Sequence, residues 1–295
     1  RHSWIAKNGP TVERDLALRV EETTGNMQQA IDFVTYLEHS SNYYVALLTP
    51  LEHSAWNNLG KTTRFHIHVI TQVLKIEQIR PLMLAITFKF TDAEIKKAIK
   101  LLLSLSVRFL VYGVSGSGGL EKNYGTIAKE ISAGIITQTD QIVPKMTVNV
   151  PSDRAFQDAF KVNKVSKTPL ARYYLRAIEM YKRNEENPEY GGMEDTIKYN
   201  LEHIMPLKLN DKWDISPEIA SAYSKRLGNM TLLNPQQNVQ LGNQSFEEKR
   251  IEFEKSTLVI TQEVCKWPGP NWGASEIDDR QAELANHVAT IWPIG

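Results

Sequence analysis

At 295 residues the chain has room for one large or two ordinary domains, and 42% hydrophobic with 9% aromatic residues is ample material for cores, which excludes a disordered chain. Lys plus Arg equals Asp plus Glu at 34 each, so no global field attracts polyanions and any nucleic-acid site has to come from a local patch. The single cysteine, Cys265, excludes an internal disulfide and a Cys-rich zinc site, and it suits a reducing, cytoplasmic compartment.

A chain opening on Arg1 rather than Met, with no signal peptide, reads as part of something longer whose upstream sequence is missing. From Thr11 to about Ile136 the apolar spacing is helical. Thr91-Asp92-Ala93-Glu94 predicts a capping box for a helix that buries Ile95, Ile99, Leu102, Leu103, Ser106 and Leu110 and ends near Gly113. Lys100, Ser104, Ser106 and Arg108 interrupt its apolar run, so it is no membrane span. A Gly/Ser loop over 114–119 and a helix over 124–135 follow. Pro144 to Pro151 reads as a connector with β-prone residues 146–150, and it separates a helical domain, 1–148, from a second domain, 149–295.

In the second domain Ser152 predicts a helix cap, and Thr168-Pro169 predicts cap and first residue of a helix running to about Arg183. The polar stretch 184–192 ends it. Ile197, Tyr199 and Leu201 alternate with Lys198, Asn200 and Glu202 as in a strand. A helix from about Ser275 to Ile291 closes the chain and reads as packing material. The fold class expected is mainly α with a small α+β part.

The informative residues interlock between 201 and 238. A strand ends in Glu202-His203, followed by Ile204-Met205-Pro206; an excursion through Trp213 leads to a second strand at Asn229 to Leu233; Asn234 and Pro235 then open a short helix carrying Asn238. Phosphodiester hydrolysis needs an activated water, a cation to neutralise developing charge, and a group that fixes the base. His203 can take the proton of the water, and it alone among seven histidines lies between an acid and a Pro-bearing strand exit. Glu202 offers a carboxylate and Asn238 an amide oxygen, a donor set suited to Mg²⁺ or Mn²⁺ with waters completing the shell. Asn229 can hydrogen-bond the backbone or ring around His203 and orient it.

With this order of residues the segment resembles an HNH (ββα-metal) nuclease. More narrowly, Glu-His-Ile-Met-Pro, Leu-Gly-Asn-Met-Thr-Leu-Leu and the stretch from Leu241 to Lys249 resemble the nuclease module of GmrSD-type modification-dependent restriction enzymes, as does the ending with Trp272, Arg280, Leu284 and Trp292. The likeness spans roughly Ser152 to Pro293. It implies a second domain of helices around one HNH finger, with His203 and Asn229 as catalytic residues, Glu202 and Asn238 as metal ligands, and cleavage of modified or phage DNA. It also implies an upstream nucleotide-dependent domain outside these residues; a second copy of the chain would serve to cut both strands. Asn238 stands where the third letter of the family name has His, which weakens metal affinity without removing a ligand. Two other functions fit less well: a scaffold that grips nucleic acid through an inactive finger, and an RNase-type toxin.

Several rivals read as structural. Leu51-Glu52-His53 repeats the Glu-His pair without the Pro or the second strand, and predicts a helical surface position. His66 and His68 diverge if 64–74 is helix. Residues 113–119 lack the Lys of a phosphate loop. Asn243 competes with Asn238 but precedes the Ser245 capping box, as a turn residue would. Residues 61–108 hold nine Lys or Arg against three acids, which solvated helix faces explain. Lys249 and Arg250, one helix beyond the site, are the expected phosphate contacts.

Overall fold

The computed structural model describes residues 1–113, 117–148, 150–185 and 199–294. They form two compact units, Arg1–Val150 with Pro293–Gly295, and Pro151–Trp292. Among the described residues no helix is long and apolar enough to cross a membrane.

The first unit is built of helices: α1 (His2–Asn8), α2 (Leu16–Thr23), α3 (Met27–Leu48), α4 (Gly60–His68), α5 (Arg80–Lys89), α6 (Asp92–Tyr112) and α7 (Ser117–Ser132). Helices α1, α5 and α7 pack on one another, and α5 is apolar all round from Pro81 to Ile86 because it is enclosed. Thr91 caps α6 by accepting from Glu94 N, and Gly113 ends it at φ 74, where a side chain would be strained. Glu94 does not complete a capping box: its carboxylate accepts from Thr139 N and Oγ1 and pairs with Lys97.

Besides the capping box, four further expectations for this unit need correcting. Leu110 is 44% exposed, although Ile95, Ile99, Leu102, Leu103 and Ser106 on the same face are buried; it lies in the last turn of the helix, where Tyr112 is exposed as well. Helix α7 begins at Ser117 and takes in Gly118 and Gly119; residues 114–116 of the expected loop lie outside the described ones. Leu51 to His53 is a turn rather than helix, and His53 Nδ1 accepts from Ala55 N as the cap of the next 3₁₀ turn. The β-prone connector forms no strand among its described residues; it begins in a 3₁₀ turn, Val143–Lys145. His66 and His68 lie on α4, which continues as a π-helical turn, Val69–Val73, and burial with nearby Lys100 pushes His66 down to about 4.

The second unit contains α8 (Asp153–Val162), α9 (Thr168–Lys182), β1 (Asn200–His203), α10 (Pro217–Tyr223), β2 (Met230–Leu233), α11 (Pro235–Leu241), α12 (Phe246–Glu254), α13 (Val259–Gln262), α14 (Ala274–Ala285) and α15 (Val288–Ile291). It is mainly α, with one small antiparallel sheet, as the composition of its elements predicted. Ser152 caps α8 through Ala155 N. Helix α9 starts one residue earlier than expected, with Lys167 at the cap and no side-chain cap bond. The expected closing helix is two: Asn286 N and His287 N bond three residues back, to Glu283 O and Leu284 O, which tightens the turn and ends the α ladder. Residues 186–192 of the polar stretch, and Ile197 and Lys198 of the expected strand, lie outside the described residues.

Two apolar groups hold this unit. Ile204, Met205, Leu233, Phe246, Trp272 and Ile277 form the core beneath the sheet. Phe156 and Phe160 of α8 and Tyr173 and Tyr174 of α9 pack around Trp292, whose Nε1 donates to Tyr173 Oη at 2.9 Å. Helix α14 comes so close to the turn before β2 that a Cβ on Gly228 would stand 2.1 Å from Ile277 O.

Gly228→Ala is therefore expected to destabilise the second unit by about 3 kcal/mol or more, since backbone rather than a side-chain tip would have to move; urea unfolding followed by tryptophan fluorescence checks it, and an unchanged midpoint would refute the close approach. In the first unit the bonds from Lys97 and Thr139 hold the Glu94 carboxyl at about 2 against the ordinary 4.5. A depressed folded-state value stabilises fully above 4.5 and is lost as pH falls towards 2. Glu94→Gln should thus cost about 1 kcal/mol at neutral pH, with the gap to wild type narrowing between pH 4.5 and 2 in the same assay.

Candidate functional site

The site is built on the end of β1. Its antiparallel register pairs Asn200 with Leu233, Leu201 with Leu232, Glu202 with Thr231 and His203 with Met230. Successive residues of a strand face opposite sides, so Glu202 points into the unit and is buried while His203 is half-buried on the other side. The pairing ends at His203, and beyond it the chain drops into the core as Ile204 and Met205 before Pro206.

Asn229 fixes that exit. It belongs to a 3₁₀ turn, Leu227–Asn229, rather than to the second strand, which begins at Met230. Fully buried, it accepts from Met205 N at 2.8 Å and donates to Met205 O at 3.0 Å, while Trp272 Nε1 donates to its Oδ1 and Ile204 N to its backbone oxygen. Its side-chain bonds to the backbone go to Met205, two residues past His203, and none goes to the imidazole.

Helix α14 holds this turn from behind. Buried Arg280 donates through Nη1 to Gly228 O and Met230 O, both at 2.7 Å, and through Nη2 to Ile260 O at 3.1 Å. Adjacent Gln281 accepts from Gly228 N and Arg226 Nε and donates to Phe160 O and Asn163 O. Burial pushes the Arg280 guanidinium down to about 10, which still leaves it charged near neutrality.

Helix α11 brings in the third element. Asn234 caps it by accepting from Gln236 N, Pro235 takes the first position, and Asn238 follows within the first turns. Asn238 Nδ2 donates to Leu201 O at 3.1 Å, which commits the nitrogen to the strand and leaves Oδ1 as the amide acceptor. Leu201, Glu202, His203, Pro206, Lys208, Asn238 and Asn243 all line one open groove of about 400 Å³. The structure therefore brings Glu202, His203 and Asn238 together, adds Lys208, which the sequence did not single out, and places at the groove Asn243, which reads from the sequence as a turn residue.

The two expected phosphate contacts are placed elsewhere. Lys249 is 0% exposed, and its Nζ donates to Glu202 Oε1 and, at 2.9 Å, to His203 O. The capping box at Ser245 and the core packing of Phe246 and Phe253 turn this face of α12 inward, so the ammonium meets a carboxylate of the protein and not a phosphate in solvent. Arg250 Nη1 donates to Trp267 O, Pro268 O and Gly269 O, tying down the loop before Trp272. Spacing alone does not reveal either role, because the sequence does not say which face of α12 meets β1.

Burial raises the Glu202 carboxyl, an effect the Lys249 charge opposes; burial lowers the Lys249 ammonium, opposed in turn by Glu202. The His203 imidazole is lowered by burial and then by the Lys249 charge, which favours its neutral, proton-accepting form. Among the described residues no three His, Cys, Asp or Glu side chains gather as a metal cluster. One carboxylate and one or two amide oxygens fit a hard ion that keeps most of its waters, and do not fit a zinc-type site.

Such an arrangement, a strand pair and a helix presenting an acid, an imidazole and an amide to one groove, defines a class of sites able to bind a hard cation beside a general base. Residues 150–287 match the family model of the C-terminal domain of GmrSD restriction endonucleases, so the second unit resembles that domain over most of its length. The chain matches no curated protein.

The Asn229 clamp carries a direct expectation. Asn229→Ala strands Met205 N and O and Trp272 Nε1 inside the core and should cost about 2–4 kcal/mol. Asn229→Asp keeps the acceptor, loses the donor to Met205 O and buries a charge, so it should not restore stability. Thermal unfolding of both variants checks this; a wild-type midpoint for either would refute the clamp.

Proposed function

We propose that the second unit is a Mg²⁺- or Mn²⁺-dependent DNA endonuclease of the HNH type. The observation that carries this reading is that Glu202, His203 and Asn238 line a single groove; the match to a restriction-endonuclease domain supports DNA as the substrate. His203, neutral and directed to the groove, takes the proton of a water that attacks phosphorus, and the bond from phosphorus to the 3′-oxygen breaks, leaving 5′-phosphate and 3′-hydroxyl ends. Glu202 and Asn238 hold the cation, which supplies neutralisation of the charge developing on the phosphate and the leaving oxygen. Asn229 is a positioning residue acting through the backbone of Met205. Lys208, which lines the groove and is exposed, takes the phosphate-contact role expected of Lys249 and Arg250. Foreign or modified DNA as target, a nucleotide-dependent partner domain and pairing of two copies belong to the same proposal and rest on the family likeness.

A plasmid-nicking assay with and without Mg²⁺ tests the activity. His203→Ala should cut at least about 10²-fold more slowly while DNA affinity holds; a variant that nicks near the wild-type rate removes His203 from the role. Lys208→Ala should weaken DNA binding and lower the slope of log affinity against log salt by about one unit, because one phosphate neutralisation is lost. An unchanged slope by fluorescence anisotropy would take Lys208 out of the interface.

A further inference from the structure

This inference rests on the metal-nuclease reading above. Among the described residues lining the groove Glu202 is the lone acid, and Asn238 and Asn243 bring dipoles without charge. Affinity for a hard dication rises with the number of anionic ligands, so such a site depends on that one carboxylate. Yet Glu202 already has a cation. The Lys249 ammonium is buried against it, bonded to Oε1, and anchored by a second bond to His203 O, so it cannot swing away as a surface lysine would. The acid and its ammonium cancel, and exposed Lys208 at the groove adds a further positive charge. A dication approaching this groove alone meets no net negative charge, whereas a phosphodiester carries the missing anion with it.

We propose that Lys249 neutralises the one carboxylate that the described residues bring to the site, so that the cation is held firmly only together with a phosphate of the DNA. Lys249 is then a positioning residue whose charge makes metal and substrate binding mutually dependent. Linkage requires the coupling to be reciprocal: DNA tightens metal binding by the same factor as metal tightens DNA binding.

Mn²⁺ titrated calorimetrically into the whole chain tests this without relying on cleavage. Wild type without DNA should bind with a Kd weaker than about 0.3 mM. In the His203→Ala background, with a short duplex and after correction for Mn²⁺ taken up by the duplex alone, binding should tighten by about tenfold or more. Lys249→Met removes the ammonium at similar length, and without DNA it should bind Mn²⁺ about tenfold more tightly than wild type, a change that loss of packing would not produce. Because this variant leaves Glu202 without its partner and loses stability, the two titrations of chains that retain Lys249 decide by themselves: tight binding without DNA, or less than tenfold tightening with it, overturns the proposal. Weaker or equal Mn²⁺ binding by folded Lys249→Met also overturns it. Glu202→Gln separates the two readings: if it leaves Mn²⁺ binding unchanged, the metal site itself is misassigned, whereas Glu202-dependent binding that ignores DNA refutes only the role of Lys249.

Discussion

The second unit is organised around a guanidinium, that of Arg280, to which no carboxylate among the described residues is bonded. Arg280 gives its hydrogen bonds to the carbonyls of Leu227, Gly228, Met230 and Ile260, four backbone oxygens that no strand or helix ladder would otherwise draw to one point. A fully buried charge is tolerated only when its donors are satisfied, so the requirement runs both ways: the turn before β2, the start of α13 and the middle of α14 have to meet where Arg280 lies. Gly228 follows from that meeting, because a side chain has no room beside Ile277 O. Asn229 is then held with its amide facing Met205, and the exit of β1 is set. The polar groove is thus the far end of a chain of contacts that begins on α14, a helix carrying no residue of the groove itself.

Much of the local structure is legible in the residues. Asn234-Pro235 marks the start of α11, Ser245 and Glu248 the capping box of α12, and the strand ending in Glu202-His203 is where the alternation places it. These are signals carried by a few neighbouring residues acting through short hydrogen bonds. The joining of Glu202, His203 and Asn238 in one groove also follows from local order, since a strand, a strand and a short helix leave few ways to pack.

What the sequence does not reveal depends on which faces meet. Lys249 reads as a surface cation beside four glutamates, and only the packing of Phe246 and Phe253 on the core shows that its face of α12 points inward. Arg250 reads alike and ends on loop carbonyls. Leu110 fits the apolar stripe of its helix and is still exposed in the last turn, because a stripe does not say how far along the helix its packing partners reach. Asn229 was placeable as a support for His203, but its actual partners, Met205 and Trp272, lie in segments whose meeting no spacing encodes.

The aromatic cluster around Trp292 has a bearing on where this unit can be cut. Phe156 and Phe160 come from its first helix and Trp292 is its final residue, so the entry and exit of this unit are bound to one another through edge-on and tilted ring contacts. Ends that meet make a self-closing module, the kind that can be excised, transplanted into a loop of another protein, or recircularised with new termini elsewhere. The limits of such a module are set by that ring cluster rather than by the span that the family model matches, which stops at residue 287 and would leave its cornerstone tryptophan behind.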